Sequence, residues 1–123
     1  MITNMYQENI LDHYKHPRNF GDLPNAKFHA HAANPLCGDE LDFFLEFNTD
    51  DKISNVKFNG RGCTITIASA SMLSEKLRGM SRSDIEIFSN EDAIKLLGVP
   101  ITPARLKCAT LALETVQQAI GHH

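Results

Sequence analysis

The sequence predicts an α+β fold: a small antiparallel sheet of about three strands, with helices packed on one face. Two observations support this. After one N-terminal helix, alternating apolar residues are confined to the first half of the chain, and helical three- and four-residue spacing dominates the second half, up to a long C-terminal helix. Separate blocks of strands and helices are typical of α+β proteins, whereas a doubly wound parallel sheet needs them to alternate.

The first helix is expected over roughly residues 4–15, with Asn4 as its N-cap. Its apolar residues recur at helical spacing, and Pro17 forbids its continuation (Tyr6, Ile10, Leu11, Tyr14). From Pro17 to Pro35 the pattern is typical of an irregular connection, although Phe28, Ala30 and Ala32 indicate a weak strand.

Strict alternation from Asp39 to Phe47 predicts a strand with one core face, built from Leu41, Phe43, Leu45 and Phe47. A polar turn over residues 48–51 and a second β-branched and aromatic run from Ile53 to Phe58 predict an antiparallel hairpin.

Three helices are expected after the hairpin. The first follows Cys63 and ends at Gly79, and the second is a short capped helix from Ser89 to Gly98. The last begins with Thr102 as N-cap and Pro103 as first residue, and carries an apolar stripe that excludes Cys108 (Leu106, Ala109, Leu113, Val116, Ile120).

The length and net charge of the chain limit the classes of function it can have. A chain of 123 residues, 42% apolar, is predicted to form a single domain over residues 1–123. A net charge of −3 provides no attraction for nucleic acid or an anionic membrane. The beginning of the chain lacks an export signal, and no long apolar run occurs, so a cytoplasmic protein is expected.

Cys37 and Asp39 place a thiol and a carboxylate two residues apart, with Gly38 between them to let the backbone approach a bound ion. Cys63 follows a glycine turn in which Gly62 helps to aim the thiol outward. Taken alone, each segment is better explained by a turn beside a packed, inert cysteine than by a metal site.

Cys108 is predicted near a helix N-terminus, where the helix dipole and Lys107 would lower its thiol pKa. An inert cysteine on a helix side is the competing interpretation. The three cysteines lie 26 and 45 residues apart, which excludes a locally folded zinc module. A shared site must therefore be assembled by the fold, and three thiolates with one carboxylate suit zinc or iron–sulfur chemistry.

Four motifs in this order and spacing resemble the IscU/SufU/NifU-N-terminal family of iron–sulfur cluster assembly scaffolds. The resemblance covers nearly the whole chain. The motifs are Tyr14-Lys15-His16-Pro17-Arg18-Asn19-Phe20-Gly21, Asn34-Pro35-Leu36-Cys37-Gly38-Asp39, Gly62-Cys63 with Ala68-Ser69-Ala70-Ser71, and Leu106-Lys107-Cys108.

The resemblance implies that Cys37, Asp39, Cys63 and Cys108 bind iron and a transient [2Fe–2S] cluster, or zinc when no cluster is present. Sulfur would come as persulfide from a cysteine desulfurase, with Cys37 or Cys108 as acceptor, and the cluster would pass to acceptor apoproteins. Such a protein is a non-enzymatic scaffold, or a sulfurtransferase if it is SufU-like.

Two departures from the family pattern keep both branches open. Lys107 stands where the IscU branch has a histidine, which is similar to SufU, yet the chain lacks the insertion that SufU proteins carry between the second and third cysteines. Residues 101–105 also replace the family's chaperone motif, which argues against a dedicated Hsp70-type chaperone as partner. We expect Lys107, Gly38 and Gly62 to lie beside the ligands without binding metal.

Three functions stay open: a cluster scaffold, a zinc-dependent sulfur acceptor and a purely structural zinc domain. The histidines of the first half, His13, His16, His29 and His31, are expected to have surface or capping roles rather than to bind metal.

Overall fold

The computed structural model describes residues 2–35 and 38–121, with side chains from Gln7 onward. Its helices and strands follow one another as α1 (Ile2–Lys15), β1 (Phe28–Asn34), β2 (Asp39–Phe47), β3 (Ile53–Arg61), α2 (Thr64–Leu77), α3 (Arg82–Ile87), α4 (Asn90–Leu97) and α5 (Leu106–Ala119), with a 3₁₀ turn at Pro103–Arg105 before α5.

The three strands form one antiparallel sheet in the order β1-β2-β3. The predicted hairpin is confirmed, and Leu41, Phe43 and Leu45 of β2 are completely buried as the alternation requires. The strand that Phe28, Ala30 and Ala32 weakly indicated is confirmed as β1. The expectation of an irregular connection from Pro17 to Pro35 is therefore wrong for Phe28–Asn34. Strand β3 continues three residues beyond the predicted Phe58 and thereby reaches the turn that holds Cys63.

Helices cover one face of the sheet, as predicted. Helix α5 packs across β1 and β2, α2 packs on β3, and α1 and α4 pack outside them against α2. The opposite sheet face is open to solvent, where the imidazole of His29 stacks on the ring of Phe44. None of the helices that the structure describes is long and apolar enough to span a bilayer.

The predicted boundaries need three corrections. Helix α1 starts at Ile2, so Asn4 lies inside the helix, since no glycine or proline precedes it to prevent helical backbone there. At the last helix, Thr102 makes no side-chain cap, and Pro103 opens a 3₁₀ turn, so that α5 itself begins at Leu106.

Helix α3 was not predicted, because six residues are too few to show helical periodicity. Its start carries a capping box in which the Ser81 hydroxyl accepts from the Asp84 N–H and the Asp84 carboxylate accepts from the Ser81 N–H. The predicted helix after Ser89 is confirmed and has the same box between Ser89 and Asp92. Sequence reasoning recognised the second box and overlooked the first.

Candidate metal centre

Three of the four predicted ligands converge. Asp39 is the first residue of β2, Cys63 directly precedes α2, and Cys108 lies in the first turn of α5. One ligand atom from each lies within 4.8 Å of the other two. The fourth predicted ligand, Cys37, lies outside the described residues.

The carboxylate of Asp39 is the centre of this cluster and is only 2% exposed. Its Oδ1 accepts a hydrogen bond from the backbone N–H of Cys63 at 3.2 Å. Its Oδ2 accepts from the Thr66 hydroxyl at 2.9 Å and from the Cys108 thiol at 3.3 Å. Burial of a carboxylate is costly unless hydrogen bonds satisfy it, and here both oxygens have donors.

Gly62 makes room for that carboxylate. A Cβ atom at this position would lie 2.7 Å from Oδ1 of Asp39 and 3.0 Å from the side chain of Thr66. Since neither buried neighbour can move freely, only glycine fits where β3 turns into α2. At Gly38 a Cβ would meet open space, and the positive φ of 73° is what favours glycine there.

The two described thiols have opposite pKa shifts. Burial raises the pKa of Cys63, but interactions with the side chain and backbone of Thr66, then with Cys108 and the backbone of Ile65, outweigh it, so the net pKa is lowered. Burial, followed by the hydrogen bond with Cys63, raises the pKa of Cys108 to about 12. Of the two thiols, Cys63 therefore ionises more readily.

The sequence-based expectation for Cys108 was wrong on two counts. It is 1% exposed and lies within the buried face of α5, which is wider than the predicted stripe because the helix packs against the sheet, α2 and α4. Desolvation then opposes the helix dipole and raises the thiol pKa where a decrease was predicted.

Two residues of the site were missed from the sequence. Thr66 contacts both Asp39 and Cys63, the latter at 3.4 Å from its Sγ. The guanidinium of the exposed Arg105 has its pKa raised by its interaction with Cys63 first and with Cys108 second. Both lie within three residues of a cysteine, which is the only signal the sequence offers.

Lys107, in contrast, is exposed and makes no hydrogen bond or ion pair with any residue in the described ranges 2–35 and 38–121. It lies beside Cys108 in sequence, but no described contact links its side chain to the site. The expected influence of Lys107 on the site stays a prediction.

The histidines lie away from this cluster. Those of β1, His29 and His31, are exposed and pair with Asp42 across the open sheet face. His13 corrects the expectation of a surface role, because it is 6% exposed and its Nδ1 lies 2.7 Å from the Ser71 hydroxyl. It joins α1 to α2.

The donor set fits a thiophilic metal. Two sulfurs and one carboxylate oxygen are ligands that both Zn²⁺ and iron accept. Three ligands leave one position of a tetrahedral ion open for a further ligand. In the described residues the site is the one place where three potential metal-binding side chains converge.

The chain is similar to one known protein family over nearly its whole length. The family model described as "NifU-like N terminal domain" matches residues 5–123. The chain belongs to this family. The NifU-like match includes all four predicted ligand positions.

NifU-like relatives of two kinds resemble this chain. The zinc-dependent sulfurtransferase SufU of Bacillus subtilis is 35% identical over 140 residues, covering 98% of this chain and 92% of SufU. The iron–sulfur cluster assembly scaffold protein IscU of Rickettsia prowazekii is 33% identical over 121 residues, covering 96% and 91%. The chain spans only 62% of the mitochondrial iron sulfur cluster assembly protein 1 of Schizosaccharomyces pombe, to which it is 34% identical.

Solved structures share the NifU-like fold. A putative scaffold protein for the SUF system from Fervidobacterium islandicum superposes with a TM-score of 0.80 at 28% identity, over 96% of this chain and 98% of that one. The N-terminal part of a NifU-like protein from Brucella abortus has a TM-score of 0.77 at 18% identity, over 97% and 94%. The α+β prediction is confirmed.

Proposed function

We propose that this chain is a scaffold on which a [2Fe–2S] cluster is assembled and from which it is passed to acceptor proteins. The observation that supports this most strongly is the convergence of Asp39, Cys63 and Cys108 within 4.8 Å of one another at the end of the sheet. Cys37, two residues before Asp39, is proposed as the fourth ligand.

Sulfur is proposed to arrive as persulfide from a cysteine desulfurase. Attack on that persulfide needs an accessible thiolate. Cys108 is almost completely buried and its pKa is raised, which argues against it as first acceptor. Cys37 is then the remaining predicted acceptor, and Cys63, half-buried with a lowered pKa, becomes a second candidate.

Asp39 is proposed to make release possible. A carboxylate oxygen binds the iron of a cluster less firmly than a thiolate does. A site with one oxygen ligand among sulfur ligands therefore holds its cargo less tightly than an all-thiolate site, as transfer to an acceptor requires.

A second candidate function is a zinc-dependent sulfur acceptor that relays desulfurase sulfur without holding a cluster. Lys107 in place of a histidine and 35% identity to SufU favour it. However, the match to the Bacillus subtilis SufU is 140 residues long and this chain has 123 residues, so that SufU contains segments with no counterpart here, whereas the match to the Rickettsia prowazekii IscU is 121 residues long. We therefore rank the scaffold first.

The test is anaerobic incubation with a cysteine desulfurase, cysteine and ferrous iron. A scaffold develops the visible absorption of a [2Fe–2S] cluster, loses this ability in Cys63→Ser and Cys108→Ser, and retains it in the control Thr115→Val, whose hydroxyl bonds only the Leu111 carbonyl within α5. Protein purified with tightly held zinc that accelerates desulfurase turnover but never develops cluster absorption would support the sulfur acceptor instead.

A structural zinc domain would unfold on exhaustive chelation, since its metal supplies the folding free energy. We expect the fold to survive, because a continuous apolar core lies between the sheet and its helices.

The desulfurase and the acceptor apoproteins are the proposed partners, without a dedicated Hsp70-type chaperone. A single domain over residues 1–123 in the cytoplasm stays a prediction.

A further inference from the structure

We propose that Thr66 is a positioning residue for the metal or cluster, because it holds the Asp39 carboxylate in the orientation in which one oxygen faces the cysteine sulfurs. This inference rests on the proposed function only in requiring that the site binds a metal. It assigns a role to a residue that supplies no ligand atom itself.

The contacts of Asp39 define that orientation. Two donors hold one oxygen each: the Cys63 backbone N–H on Oδ1 and the Thr66 hydroxyl on Oδ2. The third donor is the thiol of Cys108, 3.3 Å from Oδ2. A cysteine loses its proton when it binds a metal, so this third hydrogen bond is absent from the loaded site. The Thr66 hydroxyl has a single proton, and the shorter distance of 2.9 Å to Oδ2, against 3.4 Å to Sγ of Cys63, assigns that proton to Oδ2. This hydroxyl is then the side-chain donor that continues to hold Oδ2.

The spacing around Oδ2 matches this role. A ligand oxygen about 2.1 Å and a sulfur about 2.3 Å from one metal ion lie roughly 3.3 to 3.7 Å apart at ordinary coordination angles. Oδ2 lies 3.3 Å from Sγ of Cys108 in the structure. Oδ2 of Asp39 and Sγ of Cys108 are therefore spaced as two ligands of one ion would be, while the Thr66 hydroxyl donates to the same oxygen.

The environment of Thr66 distinguishes it from an ordinary helix threonine. A buried threonine in a helix commonly bonds the carbonyl four residues earlier, as Thr115 does with Leu111 at 2.7 Å. Thr66 is completely buried near the start of α2, but its hydroxyl contacts two candidate ligands, Asp39 and Cys63. Its methyl side lies close to Gly62, so the side chain has little room to rotate.

Removing the hydroxyl should weaken metal binding through Asp39. Loss of a hydrogen bond that orients a metal ligand typically lowers metal affinity roughly 10- to 100-fold. We expect such a loss in Thr66→Val, which keeps the branched shape, and near-normal affinity in Thr66→Ser, which keeps the donor. Thr115→Val serves as the matched control for a buried threonine hydroxyl lost elsewhere.

The experiment measures zinc affinity by competition with a chromophoric chelator, and records the d–d absorption of the Co²⁺-loaded proteins. Folding of each variant is checked by circular dichroism, and Thr66→Ala replaces Thr66→Val if the latter does not fold. Thr66→Val should lower zinc affinity at least about tenfold and alter the Co²⁺ bands. The same substitution made in an Asp39→Ala background should have no further effect on affinity, because its target is gone.

Three outcomes overturn the proposal. Wild-type-like zinc affinity and Co²⁺ bands in Thr66→Val would remove the role of Thr66 and leave the proposed function intact. An equal loss of affinity in the wild-type and Asp39→Ala backgrounds would show that Thr66 acts on stability and not through Asp39. A wild-type protein that binds neither metal would end both the positioning role and the proposed function.

Discussion

Oδ2 of Asp39 lies 3.3 Å from Sγ of Cys108, although 69 residues separate the two along the chain. One residue begins the central strand and the other lies in the first turn of the last helix. The contact exists because α5 packs across β1 and β2, and its N-terminal end lies at the end of the sheet where the central strand β2 starts. The candidate site is thus a product of the whole fold.

Asp39→Cys tests the proposed role of the oxygen ligand. Since a thiolate binds cluster iron more firmly than a carboxylate does, the variant should assemble a cluster but transfer it more slowly, by roughly tenfold or more. The measurement is the rate of cluster appearance on an apo-ferredoxin, followed by circular dichroism, with Thr115→Val as the control. Transfer at the wild-type rate would show that Asp39 does not govern release.

Cys108 should make the metal-free protein sensitive to alkaline pH. Its thiol pKa is raised from 9.0 to about 12 by burial, so above pH 9 the unfolded chain loses this proton while the folded protein retains it. The free energy of unfolding should therefore fall as the pH rises from 9 towards 12, with a slope approaching about 1.4 kcal/mol per pH unit, the value for one proton.

Urea denaturation between pH 8 and 10.5, with a chelator present, measures this slope. Cys108→Ser should remove it and leave the background from lysines and tyrosines, which both proteins share. An identical pH dependence in the two proteins would contradict the raised pKa of Cys108.

Arg105 should keep Cys63 reactive. Interaction with Cys63 raises the pKa of the exposed guanidinium, and a nearby positive charge in turn favours the thiolate over the thiol. In Arg105→Gln the pKa of Cys63 should rise, and alkylation of Cys63 by iodoacetamide at pH 7.5 should slow several-fold, as determined by peptide mass spectrometry. Lys107→Gln is the matched control, because Lys107 is also exposed and forms no hydrogen bond or ion pair with the described residues of the site. Equal slowing in both variants would indicate a general charge effect.

Gly62→Ala should distort the site directly. The added methyl group would lie 2.7 Å from Oδ1 of Asp39 and 3.0 Å from Thr66, closer than ordinary contacts allow. We expect a loss of about 1–3 kcal/mol in the free energy of unfolding together with weaker zinc binding. Denaturant unfolding and chelator competition measure the two effects. Unchanged zinc affinity would show that the carboxylate can shift without consequence.

The fold was largely predictable because its signals are local. The alternation of Leu41, Phe43 and Leu45 predicts β2 and its buried face, and the glycine and capping signals around Ser89 and Gly98 predict α4. Helix α3 escaped because six residues show no period. Helix α1 starts earlier because helical backbone can extend past a suitable cap residue, and α5 starts later because Pro103–Arg105 form a 3₁₀ turn.

The candidate site was predictable only in part. Its ligands were proposed from motif order and family resemblance, since no local pattern joins Asp39 to Cys108. Thr66 and Arg105 were missed because their roles come from neighbours that only the folded chain brings together. The pKa of Cys108 was predicted in the wrong direction for the same reason: its burial under the sheet and α2 is invisible in the sequence around it.

X-ray absorption at the zinc K-edge of the zinc-loaded protein tests the central claim, that residues distant in sequence bind one metal. The account predicts three sulfur ligands near 2.3 Å and one oxygen near 2.0–2.2 Å, about the distances usual for zinc. Cys63→Ser and Cys108→Ser should each reduce the sulfur count by one. A first shell of oxygen and nitrogen only, or a sulfur count unchanged by both substitutions, would contradict it.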